Sequence, residues 1–179
     1  MLKLCGLYTA VITIVCGGLC APRTADADDA NRTEQLISFR IEDQFDRLHT
    51  DRRYRGSAVL VSWADRKGSD YLDDWNGALG DSLAAEVRVY RVRLLNVAHV
   101  KGAPFFVKGK IKSALRRDHA QPVLMDWGGK FAEAYACTPD HCNLLIFDRS
   151  GQLVANYAVT TADSSVITDV VATVRALAR

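Results

Sequence analysis

Seven consecutive residues from Ser57 to Trp63 are apolar or small, no charge falls among them, and the first carboxylate after the run is Asp65. A strand with one wet face alternates apolar and polar residues, whereas an unbroken apolar run belongs in the middle of a sheet covered on both sides. The run therefore demands two covering layers and predicts an α/β protein in which helices flank a sheet.

The remaining periodicities agree with that architecture. Ile37, Phe39 and Ile41 alternate with polar residues, as in a half-buried strand. Leu72, Trp75, Leu79 and Leu83 recur at helical spacing and predict a helix over 70–85, weakened by Gly77 and Gly80. The β-formers Val87, Val89, Tyr90, Val92 and Leu94 predict a second central strand over 87–95, followed by a loop over 96–104. Phe106, Ile111 and Leu115 share one side of an amphipathic helix expected over 105–116, whose Lys108, Lys110, Lys112 and Arg116 read as a solvated face. A short extended piece over 122–125 and a short helix over 130–137 follow. Residues 143–147 and 153–159, joined through Asp148 to Gly151, carry a hairpin signal. Val166, Ile167, Val170, Val171, Val174 and Leu177 form the stripe of a closing helix, with Asp163 or Ser164 as its N-cap.

The N-terminus stands apart from this pattern. Lys3 gives a positive start, residues 4–20 are almost wholly apolar or small, and Ala25 and Ala27 flank a small-x-small cleavage site. Residues 1–27 are expected to be a secretory signal, with a lipid anchor on Cys16 or Cys20 or a retained membrane anchor as rivals. Residues 28–36 read as a flexible polar lead, and 37–179 as one folded domain. Cleavage would leave 152 of the 179 residues, enough for a full hydrophobic core. Two of the 23 basic residues (Lys3, Arg23) and one of the 21 acidic ones (Asp26) would leave with the signal, giving a formal charge of +1. That balance offers no electrostatic case for nucleic acid or an anionic membrane surface. The expected location is periplasmic or secreted. Of five cysteines only Cys137 and Cys142 would survive, and in an oxidising compartment so close a pair is expected to form a disulfide.

The order of elements, together with local wording, resembles the thioredoxin-like redoxin superfamily. Asp126 and Gly129, then Ala134 and Tyr135, then Ile146, Asp148 and Gly151 match the extended piece, short helix and hairpin of the redoxin second half. Residues 39–65 look like the first half, so the likeness covers roughly residues 37 to 177. Within the superfamily the chain is most similar to the exported YtfJ type, in its Asn96 region, its lysine-rich helix and its degenerate active site. The resemblance implies a thioredoxin-like mixed β-sheet flanked by helices and a redox ancestry.

Two departures bear on chemistry. Aligning Trp63 and Ala64 with the redoxin Trp-Ala puts Lys67 and Asp70 where a Cys-x-x-Cys pair would stand. A thiolate at a helix start is acidified by the helix dipole, and neither residue replaces it. The position of the facing cis-proline, six residues before Asp148, is taken by Cys142, with Pro139 three residues earlier and free to be cis or trans. If the fold holds, the loop from Cys137 to Cys142 borders the vacated site. Trp63, Asp65, Lys67, Pro139 and His141 would then line the cleft, with His141 placed to assist a Cys142 thiolate. Cys137 and Cys142 would be catalytic only if redox-active; otherwise their bridge is a staple that stiffens the loop.

A metal reading of Cys137, His141 and Cys142, with His99 or His119 as a fourth ligand, lacks the paired knuckles of a zinc site, so no metal is expected. No phosphate loop, dinucleotide fingerprint, nucleophile elbow or haem motif occurs, and no cofactor is expected. His49 reads as a surface residue, and Trp63, Trp75 and Trp127 as core or cleft aromatics. Two functions remain. One is a noncatalytic binding or accessory module of the cell envelope that holds a peptide or protein partner. The alternative is a thiol–disulfide oxidoreductase or redox sensor working through Cys137 and Cys142.

Overall fold

The structure is a computed structural model, and it describes residues 33–179. The expected export signal over 1–27 and the start of the polar lead lie outside the described residues. Among the described residues no helix is long and apolar enough to cross a membrane.

The apolar run that opened the sequence argument is strand β3, Ala58–Ala64, and every one of its residues is buried. It sits at the centre of a five-stranded sheet. Two short strands precede it, β1 (Arg40–Glu42) and β2 (Leu48–Thr50), paired antiparallel in a ladder of their own. After it come α1 (Leu72–Ser82), α2 (Ala84–Arg88), β4 (Val92–His99), α3 (Lys108–Asp118), β5 (Val123–Asp126), α4 (Lys130–Tyr135), β6 (Cys142–Phe147), β7 (Leu153–Val159) and α5 (Ser164–Leu177). The order across the sheet is β5-β4-β3-β6-β7; β4 runs parallel to β3 and β5, while β6 is antiparallel to β3 and to β7.

Alternation along β3 and β6 builds two cores. Val59, Val61 and Trp63 with Leu145 and Phe147 face Phe131 and Tyr135 of α4 and the N-terminal residues Phe39 and Ile41. Ala58 and Leu60 with Cys142, Leu144 and Ile146 face Trp75 and Leu79 of α1 and Val170 and Val174 of α5. At about 25 cal/mol per Å² of apolar surface removed from water, these two layers hold the sheet in place. Asp163 caps α5 as expected, its carboxylate accepting the Ser165 and Val166 amides at 2.8 and 3.3 Å.

Four expectations are corrected. The second central strand does not begin at Val87. Val87 continues the helical spacing of Leu79 and Leu83 into α2, Tyr90 takes a left-handed φ of +60°, and β4 starts at Val92, set by its register with Ala58. The loop expected from Asn96 starts later, because β4 runs to His99 under its pairing with β5. The helix expected over 70–85 is broken at Leu83, not at its glycines, and opens with a 3-10 turn over Gly68–Tyr71. Finally, the described end of the polar lead is tied down: the Thr33 amide donates to the Ala134 carbonyl at 3.1 Å, and the Leu36 amide to the Gly151 carbonyl at 2.7 Å.

Candidate functional site

The carboxyl ends of β3, β4 and β5 and the amino end of β6 meet at one edge of the sheet, where α/β proteins place their ligands. Leaving β3, the chain presents Asp65 and turns through Lys67 into the 3-10 segment. Entering β6, it passes through Thr138, Pro139, Asp140 and His141. The two segments touch. Asp65 Oδ1 accepts the Lys67 and Gly68 amides at 3.1 and 2.8 Å, and its Oδ2 accepts the Asp140 amide at 2.9 Å. Lys67 Nζ donates to Asp140 Oδ2 at 2.7 Å. The approach is so close that a Cβ on Gly68 would stand 2.2 Å from the His141 carbonyl oxygen.

The loop from 138 to 141 thus lies against the turn at the end of β3 that carries Asp65, Lys67 and Gly68. The notch between the two segments is bridged by their own hydrogen bonds. Asp65 takes the two amides at the entry to the 3-10 turn, ahead of α1. Burial works to raise the Asp65 pKa, but the amides of Asp140, Gly68 and Lys67 outweigh it and hold the carboxyl below the usual aspartate range. Asn143 fixes the loop from the strand side, accepting the Thr138 amide at 2.8 Å and donating to the Thr138 and His141 carbonyls at 2.9 and 3.2 Å. The described residues contain no cis peptide bond, so Pro139 is trans.

Of the residues expected to line the cleft, Asp65, Lys67, Pro139 and His141 lie at this edge. Trp63 does not line an open cleft, since it is buried among the core residues of the α4 face. The expected bridge between Cys137 and Cys142 is not formed. Both are free thiols, and they belong to different cores: Cys137 packs on the α4 face, while Cys142, at the first position of β6, faces α1 and α5. Period-2 alternation sends the Cys142 side chain away from the surface that Cys137 shares. Burial pushes both thiols up to about 12, with Asp126 adding to the effect at Cys137. His141 is engaged elsewhere, its Nδ1 donating to the Pro139 carbonyl at 2.8 Å. The same separation of Cys137 from Cys142 removes the geometry that the metal reading needed. Among the described residues no group of three or more His, Cys, Asp or Glu converges. Of the other proposed ligands, His119 approaches Asp73 at 3.7 Å and the His99 ring packs tilted against Trp63.

Two features escaped the sequence reading. His99 closes β4 with its ring 5.2 Å from that of Trp63; Trp63 Nε1 and His99 Nδ1 are buried there without a hydrogen-bond partner among the described residues. A strand ending before Asn96 would put His99 in a loop, but β4 runs to His99. The second is a buried network under the β1–β2 ladder. His49, read as a surface residue, is 5 % exposed; its Nε2 lies 3.0 Å from Asp43 Oδ2 and its Nδ1 2.8 Å from the Tyr54 hydroxyl. Asp43 Oδ1 also accepts the Phe45 and Arg47 amides at 2.8 and 3.0 Å. A carboxylate only accepts, so His49 Nε2 donates to Asp43.

No family model matches the chain, and no curated protein matches it. Solved structures do match in fold. The exposed lipoprotein thioredoxin of Streptococcus pneumoniae is 17 % identical, with 76 % of this chain and 99 % of that one covered at a TM-score of 0.60. BsSco, of the Sco family of cytochrome c oxidase assembly proteins, is 12 % identical over 83 % of this chain and 95 % of that one, at 0.61. The thioredoxin domain of a Bacteroides vulgatus thiol-disulfide oxidoreductase is 14 % identical over 78 % and 95 %, at 0.58. The fold is therefore thioredoxin-like, as the resemblance implied. At these identities the likeness extends to the fold alone.

Proposed function

We propose that this chain is an exported, YtfJ-type thioredoxin-fold protein that acts by binding, as a noncatalytic or accessory module of the cell envelope, and not by dithiol exchange. The observation that supports this reading is the bridged notch: Asp65 takes the Lys67 and Gly68 amides in the turn where the resemblance sets a Cys-x-x-Cys pair, and the loop carrying Asp140 is latched across it. The thiols support it as well. With pKa values pushed to about 12, only a minute fraction of either is thiolate at neutral pH, and thiolate is the nucleophile. Residues 1–27 as a signal would deliver the protein to the periplasm or beyond, where its partner would be an envelope protein or peptide.

The alternative, a thiol–disulfide oxidoreductase or redox sensor working through Cys137 and Cys142, draws on one observation. The loop between the two cysteines touches the turn after β3, where the resemblance sets the redoxin dithiol. An insulin-reduction assay with the wild-type chain and Cys142→Ser separates the two. The binding reading expects no turnover by either protein. Turnover by the wild type that disappears in the variant would establish the oxidoreductase.

A further inference from the structure

Among the described residues, part of β4 is left without a neighbouring strand. β5 pairs only with Asn96 to His99 of β4, so Val92, Arg93, Leu94 and Leu95 have no strand beside them on that side among the described residues. A cavity of about 590 Å³ lies along this stretch, reaching from Gln121 and Pro122, just ahead of β5, to the end of α2. Its walls differ. On the α1–α2 side the apolar Leu79, Ala84 and Val87 stand beside Asn76 and Arg88; on the other side stand Arg53, before β3, and Arg93. Arg88 joins the lining as a third cation, and no carboxylate lines the cavity. None of the three arginines forms an ion pair among the described residues. Arg93 stacks its guanidinium 4.6 Å from the Tyr90 ring centroid, and its Nε is buried without a hydrogen-bond partner among the described residues.

We propose that this edge takes up an extended acidic segment of a partner protein, which adds as a strand beside Val92–Leu95 in line with β5. The open backbone groups supply the main-chain hydrogen bonds of strand addition, and the two walls read alternate side chains. Residues on one side of the incoming strand would be carboxylates paired to Arg53 and Arg93, in the forked geometry that guanidinium favours. Those on the other side would be apolar and lie against Ala84 and Val87. About four residues, at roughly 3.3 Å each, match the unpaired length. This site lies apart from the notch at Asp65, and its occupant gives the binding function a chemistry.

Fluorescence anisotropy of the full chain with a fluorescein-labelled hexapeptide of alternating Glu and Val tests the proposal. Saturable binding that weakens with added salt is expected. A peptide with Lys in place of Glu, or the variants Arg53→Gln and Arg93→Gln, should bind at least about tenfold more weakly. Two further peptides, N-methylated on one or the other alternate set of amides, probe the backbone pairing in the unmodified protein, and one of them should lose binding. Failure of the acidic peptide to bind, undiminished binding by both arginine variants, or equal binding by both methylated peptides would overturn the proposal. These readouts do not involve either thiol, so they stand or fall separately from the insulin assay.

Discussion

Asp65 does at this notch what a bound anion would do, and it does so permanently. Its carboxylate takes three amides from two segments 75 residues apart in sequence, so it serves as both cap and latch. Replacing Asp65 by Ala strips the cap and frees the 138–141 loop, and should destabilise the protein by about 1–2 kcal/mol at neutral pH. The sign of the pH dependence follows from its lowered folded-state pKa. The carboxylate's contribution is fully present above the unfolded-state value and fades as pH falls through the folded-state value. Urea unfolding of wild type and variant should therefore differ at pH 7 and converge in strong acid. An equal gap at both pH values would show that Asp65 acts through packing and not through its charge. The order of elements alone brings the segment of Asp65 and Lys67 to the loop before β6, where both contact Asp140. It did not reveal that the notch would be closed, which depends on one side chain finding the Asp140 amide across the gap.

The 3-10 turn over Gly68–Tyr71 and helix α1 hold glycines with opposite roles. Gly68 is buried and faces the His141 backbone at a distance no Cβ tolerates. Gly68→Ala must displace either the turn or the loop, and a cost of about 1–3 kcal/mol is expected. Gly77, exposed within α1, meets nothing within 4 Å at its Cβ position. Gly77→Ala should instead stabilise by up to about 1 kcal/mol, through helix propensity alone. Opposite shifts in the urea midpoints check both; a destabilising Gly77→Ala would mean that the helix surface is occupied. The same helix shows where periodicity was legible and where it was not. Leu72, Trp75, Leu79 and Leu83 announced a helix, but the valines at 87 and 89 were read by their β-propensity. Helical spacing from Leu83 placed Val87 in α2 instead, an override of intrinsic preference by packing. His49 was misread for a related reason. Its neighbours are polar, and only the tertiary approach of Asp43 and Tyr54 buries it.

Across the whole molecule, β3 and β6 are the shared wall of both cores, each sending alternate residues to either side. Neither core can dissolve without exposing the backs of the same two strands, so unfolding should be a single transition. Trp63 reports one core and Trp75 the other; retaining each in turn as the reporter should give coincident urea curves. Cys137 and Cys142 divide between the same two cores, and that division makes reductant a test of the architecture. A bridge closing so short a loop would add about 2 kcal/mol on the chain-entropy account, and excess dithiothreitol would then lower the midpoint. With the sulfurs on opposite faces, the midpoint should be the same with and without dithiothreitol. Both thiols should resist a disulfide reagent until urea opens the sheet, then react together. A reductant-sensitive midpoint, or one thiol titrating well before the other, would require β6 to sit one residue out of the register that pairs Ala64 with Cys142, since a single-residue slip is what turns Cys142 to the other face.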